Sequence, residues 1–319
     1  MAGIDAPVPA SDAAPTSIDY RPATDADLVT CAGIWRTSIN HYTARLNQPD
    51  IPDDLAAILR LYRHLRSTDP DGFVVAEAPL PGGEARTIGF VAAVRREPLW
   101  FLSMLFIEPD AQGAGLGREL LRRVMPAGRD AALATCTDSV QPISNALYAS
   151  LGLVPRLPLL RLVGLPDRID ALPALPSGVT AVRVEDGDDA WAEIAAVVRE
   201  SSRIAGGADH AFVRAEGRIL YLYAGPDGRV VGYGYASEAG RVGPVGVVDS
   251  PLLAPIVAHL VTTVQPRGAF GVWVPGAADA TMTSLLGAGF RIDGFPCLVC
   301  WNRAVVDFSR YVPISPGLL

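Results

Sequence analysis

Leu102-Ser-Met-Leu-Phe-Ile-Glu-Pro-Asp-Ala-Gln-Gly-Ala-Gly-Leu-Gly-Arg-Glu-Leu-Leu121 decides how this chain is read. Trp100–Ile107 is apolar with little alternation, the mark of a central strand buried on both faces. Leu116, Leu120, Leu121 and Val124 recur at helical spacing, which predicts a helix from Leu116 to about Met125. Between the two lies Gln112-Gly-Ala-Gly-Leu-Gly117. Glycines let a backbone approach a ligand closely. The first turn of a helix offers unpaired N–H groups and the positive end of a dipole. A strand, a glycine loop and a helix start therefore make a cradle for phosphate oxygens. The glycines fall at 113, 115 and 117, so the loop is not GxGxxG, and no convincing acidic residue follows as a dinucleotide fold requires. Taken alone, the loop also reads as a plain connection.

The flanks extend the pattern. Ile18–Arg21 reads as a strand, and Thr24 or Asp25 caps a helix carrying Leu28, Cys31, Ile34 and Trp35. A second helix spans about Leu55–Leu65. Phe73–Ala78 and Thr87–Val94 form a strand pair joined at 81–83 by Pro-Gly-Gly. Ala131–Cys136 is a strand, and Ser144–Leu151 a helix stopped by Gly152. Residues 164–178 hold three prolines and little periodicity, and read as a linker.

Composition narrows the chemistry. The chain has 319 residues, half of them hydrophobic and 19% charged, enough for two domains with sizeable cores. All 27 basic residues are arginine. That removes lysine nucleophiles and Schiff bases and any GxxxxGK[ST] phosphate loop. The net charge is −7. Up to residue 164 there are 18 acidic and 15 basic residues, and beyond it 16 and 12, so neither half is a basic lobe for nucleic acid. Four cysteines give no disulfide framework and point to a reducing cytoplasm. Cys297 and Cys300 form a lone CxxC in an apparent strand, where a spacing of three puts the thiols on opposite faces. That favours a structural role over metal or redox chemistry. The four histidines show no metal-ligand spacing, and no GxSxG is present. Residues 1–16 read as a disordered tail rather than a signal peptide. No stretch of about 18 uninterrupted apolar residues exists to span a membrane.

The stretch quoted first resembles the acyl-CoA-binding motif of the GNAT superfamily of N-acyltransferases. The pattern [Gln/Arg]-x-x-Gly-x-[Gly/Ala] is met by Gln112, Gly115 and Gly117, with Pro109 and Gly113 where members usually carry them. The element order over about 18–160 is similar as well. Leu147-Tyr-Ala-Ser-Leu-Gly-Leu153 looks like the family's Tyr-x-x-x-Gly-Phe segment, with Leu153 in place of Phe. The resemblance implies an α/β (α+β) fold and acetyl-CoA as co-substrate, with no metal. It places the pantetheine arm along Leu105, Phe106 and Ile107, and the pyrophosphate on the N–H groups of Gln112, Gly113, Ala114, Gly115, Leu116 and Gly117, near Arg118. A backbone N–H of the strand would polarise the acetyl carbonyl. An amine acceptor would attack directly, and Tyr148 would protonate the leaving thiolate. Members often carry Asn seven residues before that tyrosine. Here Gln141 stands there, Asn145 lies one helical turn before Tyr148, and either amide can reach the cofactor. The general base is open between Glu77, Glu97, Glu108, His41 and water.

The second half repeats the order of the first. Arg183 echoes Arg21, Gly232 echoes Gly89, Pro251 echoes Pro109 and Gly289 echoes Gly152, with offsets falling from 162 to 137. Small loop deletions between two copies give such a drift. The chain is thus expected to hold two tandem GNAT-like domains, each a mixed, mainly antiparallel sheet flanked by helices: 17–163, catalytic, and 179–319, degenerate, joined by the linker 164–178. In the second copy Val247-Val-Asp-Ser-Pro-Leu-Leu-Ala-Pro255 replaces the glycine loop, two prolines remove N–H donors, and Leu285 stands in place of Tyr148. That copy either completes the fold or supplies a wall of the acceptor pocket, with Arg203, Asp209, His210 and Trp273 as possible lining. Cysteine usage, the charge balance and the lack of a long apolar run point to a cytoplasmic protein with no nucleic-acid or membrane partner, expected as a monomer or homodimer. A non-catalytic acyl-CoA-binding module, another acyl donor and a non-amine acceptor are the rival readings.

Overall fold

A computed structural model describes residues 18–319, apart from positions 81, 129, 186–189 and 205. The tail expected at 1–16 lies outside the described residues. The chain forms two compact units. One comprises the described residues up to Arg66 with Pro70–Val91 and Leu105–Val124; the other comprises Ser67–Asp69, Ala92–Met104 and Met125–Leu319.

In chain order the first elements are β1 (Asp19–Pro22), α1 (Leu28–Thr43), α2 (Ala56–Thr68), β2 (Phe73–Pro79), β3 (Ala85–Arg96), β4 (Leu99–Ile107) and α3 (Leu116–Val124). They are followed by β5 (Ala132–Asp138), α4 (Pro142–Ser150) and β6 (Val154–Gly164). Then come β7 (Thr180–Val184), α5 (Trp191–Glu200), α6 (Gly207–Ala215), β8 (Ile219–Ala224), β9 (Val230–Ala236) and β10 (Arg241–Val247). The chain closes with α7 (Leu253–Thr263), β11 (Phe270–Pro275), α8 (Asp279–Gly287), β12 (Arg291–Ile292), β13 (Cys297–Trp301) and β14 (Tyr311–Val312). The sheets are mixed, mostly antiparallel and flanked by helices, as expected.

In the first unit β1 runs antiparallel to β2, from Asp19↔Glu77 to Pro22↔Val74. Thr24 caps the 3-10 turn that leads into α1, and Asp27 closes the capping box, its carboxylate accepting from Thr24 N–H at 2.7 Å. Arg21 grips that carboxylate at 2.7 Å and Glu77 at 2.6 Å. The guanidinium holds the Asp27 carboxyl well below the usual carboxylate range. Leu28, Cys31, Ala32, Ile34 and Ser38 form the buried stripe of α1. Tyr62 of α2 meets Phe73 and Phe90 edge-on, and Phe90 stacks on Phe106. Aromatic side chains bury large areas, so this cluster is the anchor of the unit.

In the second unit the strand order is β4-β5-β13-β6-β11-β10-β9-β8-β7, with β12 on β6 and β14 on β10. The pairs β4/β5 and β10/β11 are parallel, while β5/β13, β13/β6 and β6/β11 are antiparallel. Thus β13, from the end of the chain, inserts between β5 and β6. In turn β6 lies between β13 and β11, so the two sequence halves are interleaved. The stretch after β6 carries a short turn of 3-10 helix at Ile169–Ala171. Its Arg168 donates to Gly287 O at 2.7 Å, which ties it to the end of α8. The core gathers Val257, Leu260 and Val261 of α7 against Val245, Val272, Val274 and Tyr223.

Candidate functional site

The glycine loop belongs to the first unit. β4 is buried along most of its length, and only Leu105–Ile107 rise to half-burial before the loop. Glu108 N–H donates to Ile88 O at 2.8 Å. Edges alternate along a strand, so the N–H and C=O of Leu105 and Ile107 face the opposite edge from β3. Gly89 makes the β3 side possible: a Cβ there would stand 2.5 Å from Ile107 Cδ1 and 3.0 Å from Phe106 O. The Ile107 carbonyl is held twice, by Ser38 Oγ at 2.9 Å and Gln112 Nε2 at 3.0 Å. Gln112 therefore uses its side chain to pin the loop to the strand. Its own N–H donates to Pro109 O at 3.3 Å.

Beyond Gln112 the backbone turns outward. Gly113 and Gly115 adopt left-handed φ of +90° and +81°. No protein atom lies within 4 Å of a Cβ built on either glycine. Left-handed glycines stand on both sides of Ala114, and alternation of left- and right-handed residues is how backbone N–H groups are gathered into anion-binding concavities. Glu119 N–H donates to Gly115 O at 3.1 Å, so the N–H groups of Leu116, Gly117 and Arg118 belong to the open first turn of α3. Leu116, Leu120 and Leu121 are buried and fix that helix. Arg123, at its far end, lies over the Tyr20 ring at 4.0 Å.

Tyr148, Gln141 and Asn145 belong to the second unit. Gln141 caps α4, its Oε1 accepting from Ile143 N–H at 3.3 Å. Asn145 Nδ2 donates to Asp138 O at 3.0 Å and Gln141 O at 2.8 Å, closing the β5–α4 turn. Its Oδ1 is buried without a partner, so of the two amides Asn145 keeps an acceptor in reserve. Tyr148 is buried. Burial, with the Cys300 thiol beside it, lifts its hydroxyl well above the ordinary phenol range, while a bond from Ser144 works the other way. It is protonated at any working pH. Leu153 is a fully buried core residue after left-handed Gly152. The β4/β5 register ends at Leu102↔Thr135, where Thr135 Oγ1 donates to Leu102 O at 3.0 Å.

Other candidates are committed elsewhere. Glu77 is bound by Arg21 and Glu108 by Arg86 at 2.6 Å. Glu97 and His41 are exposed. Asp209 is buried and bound by Arg96 at 2.5 and 2.8 Å, with Asp69 on the same guanidinium at 2.7 Å. His210 shares a 3.0 Å hydrogen bond with Tyr235 Oη and lies among Trp191, Tyr233 and Tyr235. Both are core groups rather than an open wall. Arg203 carries a left-handed φ of +62°, and Trp273 is half-buried in β11 opposite Arg161. Cys297 is half-buried and Cys300 buried, with a register shift between Val299 and Cys300 against β6. Among the described residues no three or more His, Cys, Asp or Glu gather as a metal would need. Nor is any described helix long and apolar enough to cross a membrane. Sequence reasoning missed Ser38. Its signal was a small polar residue on the 31–34–38 apolar stripe, where a buried hydroxyl must find an acceptor.

The chain is similar in sequence and fold to known proteins. Residues 38–153 match the family model described as Acetyltransferase (GNAT) family. No curated protein matches the chain. A Pyrococcus horikoshii protein assigned as an acetyltransferase is similar in fold, with TM-score 0.71 and 14% identity, covering 98% of this chain and 99% of that one. A GCN5-related N-acetyltransferase from Sphaerobacter thermophilus gives 0.57 and 19% over 92% and 98%. A tandem GNAT protein from the clavulanic acid biosynthesis pathway gives 0.51 and 16% over 89% and 98%. At such identities the likeness is one of fold.

Proposed function

We propose that the chain transfers an acetyl group from acetyl-CoA to an amine acceptor by direct attack in a ternary complex. One observation carries the reading: an open, left-handed glycine loop at the start of α3 follows a strand end whose outer edge faces away from β3. The pyrophosphate would bind the N–H groups of Gly113–Gly117, with Arg118 beside it, and the pantetheine arm would run along Leu105–Ile107. Ser38 and Gln112 occupy the Ile107 carbonyl, so Ile107 would offer its N–H. The amine nitrogen forms the new C–N bond, the C–S bond breaks, the sulfur takes the Tyr148 proton, and the proton that nitrogen loses restores the phenol by way of solvent. Tyr148 enters as a donor to the departing sulfur, since burial keeps its hydroxyl protonated. Glu77 and Glu108 stay with their arginines, so the amine enters as the free base or sheds its proton to solvent. The Asn145 acceptor is the amide assigned to the cofactor, and Gln141 sets the start of α4.

Calorimetric titration with acetyl-CoA tests this, followed by turnover with a panel of amines. Binding at one site per chain, with release of free thiol only when an amine is present, is the expected result. Binding without turnover for any amine would reduce the chain to an acyl-CoA-binding module. No binding would end the proposal.

A further inference from the structure

The second unit holds a counterpart of the β4/β5 pair. β10 and β11 run parallel at Arg241↔Gly271 and Val242↔Val272, and the register stops there. Past that point β9 keeps one edge of β10, pairing Val245↔Gly234, Gly246↔Tyr233 and Val247↔Gly232. The other edge is taken by β14, antiparallel, at Val245↔Val312 and Gly246↔Tyr311. Val247 N–H donates to Arg310 O at 3.0 Å. β14 also touches β11, so it lies where the parallel pair diverges. By the offset of 142 that aligns Pro109 with Pro251, Val247 corresponds to Leu105.

The fit is built in. Val312 is fully buried and Tyr311 nearly so. Gly243 has a left-handed φ of +116°, and a Cβ there would stand 2.6 Å from Pro313 O. Only glycine lets the segment pass so close. Arg218 Nη1 donates to the Gly243 carbonyl and Arg218 Nη2 to Glu216, which steadies the bend. Beyond Pro313 the segment turns at Ser315–Leu318, and Gly317 O accepts from Ser103 Oγ of β4. Leu318 and Leu319 are buried. Downstream of β10, Pro251 and Pro255 replace the glycines, and the first residues of α7 are buried.

We infer that β14 is the resident ligand of the second half's acyl-carrier slot. It makes in cis the strand-edge hydrogen bonds that a pantetheine arm would make along Leu105–Ile107. This rests on the acyl-CoA reading of the first half. The second slot is therefore closed to carriers, and the chain holds one acyl-CoA. Extended peptide and pantetheine are interchangeable at such an edge because both offer amide N–H and C=O groups at similar spacing.

Residue-resolved amide exchange on the full chain, with and without acetyl-CoA, tests the inference. Val247 N–H should exchange at least about 10³-fold more slowly than in an unfolded chain. Acetyl-CoA should leave that rate unchanged, while the Leu105 and Ile107 amides slow. Gly243→Ala, which crowds Pro313, should speed Val247 exchange at least tenfold with acetyl-CoA affinity unaltered. Fast Val247 exchange in the free chain, slowing of Val247 by acetyl-CoA, or two bound acetyl-CoA per chain would each overturn the inference. If acetyl-CoA leaves Leu105 and Ile107 unchanged while Val247 stays protected, the first-half reading fails and the closed strand edge stands. The wild-type measurement needs no variant to fold.

Discussion

The parallel pairs β4/β5 and β10/β11 begin alike and end differently. Each is a short parallel ladder whose inner strand feeds a turn and a helix. After β4 come left-handed Gly113 and Gly115 with open space around them. After β10 come Pro251, Pro255 and a buried helix start, and the free edge is taken by β14. A diverging parallel pair leaves N–H and C=O groups that need partners. Along β10 the chain supplies the partner; along Leu105–Ile107 the proposed acyl-CoA would supply it. On the proposed reading, the same scaffold would support a site or a sealed core, depending on which residues line the strand edge.

The largest expected effect separates the two pairs directly. Gly115→Val meets the strain of a left-handed β-branched residue, about 1–2 kcal/mol, and loses a charge-assisted phosphate contact of about 1.5–3 kcal/mol. Acetyl-CoA affinity should fall about 1000-fold by calorimetry. Unchanged affinity would mean that the glycine loop is a connection and the two pairs are equivalent.

Acid should strike the second unit through His210. Burial, opposed by Asp209 beside it, holds its imidazole down to about 4 in the folded chain, against about 6.5 when unfolded. The unfolded state binds the extra proton between those values, so stability is full above pH 6.5 and falls as pH drops toward 4. The loss is about 3 kcal/mol. Denaturant titration between pH 7 and 4 should show it, and His210→Gln should flatten that part of the profile. A slope that survives the substitution would assign the acid sensitivity to other groups.

Tyr148→Phe sharpens the contrast with Leu285, which the expected repeat aligns with it. Turnover should drop about 100-fold, which is about 2.7 kcal/mol, with acetyl-CoA affinity within twofold. An equal loss in both would make the hydroxyl a structural group. The smallest effect is expected for Ser38→Ala. Gln112 still holds the Ile107 carbonyl, so about 1 kcal/mol is lost. Acetyl-CoA should bind about fivefold more weakly, and a shift beyond tenfold would make Ser38 a ligand contact rather than a brace for β4.

Much of this was legible in order along the chain. The unalternating run Trp100–Ile107 is a buried strand, and Leu116, Leu120 and Leu121 do face inward from a helix. The apolar Cys297–Trp301 stretch is a strand, yet nothing in it names β5 and β6 as its neighbours. Periodicity reports how one segment meets its surroundings, not which distant segment forms them. Ser38 carries only a weak signal because its acceptor, Ile107 O, lies 69 residues away. Asp209 and His210 are possible pocket lining that nothing in the sequence selects. Arg96 and Tyr235, distant in sequence, satisfy them in the core instead.

By itself the sequence determined the element types, the glycine loop, the absence of lysine chemistry and the prolines that stand in Val247–Pro255, where no glycine occurs. These are local properties, set by side-chain pattern, glycine backbone freedom and the missing N–H of proline. Only the tertiary structure decided that β13 enters between β5 and β6, that Ser38 and Gln112 share one carbonyl, and that Tyr311–Val312 seals β10. Those are long-range pairings, chosen because every buried backbone N–H and C=O must be satisfied across the folded chain at once.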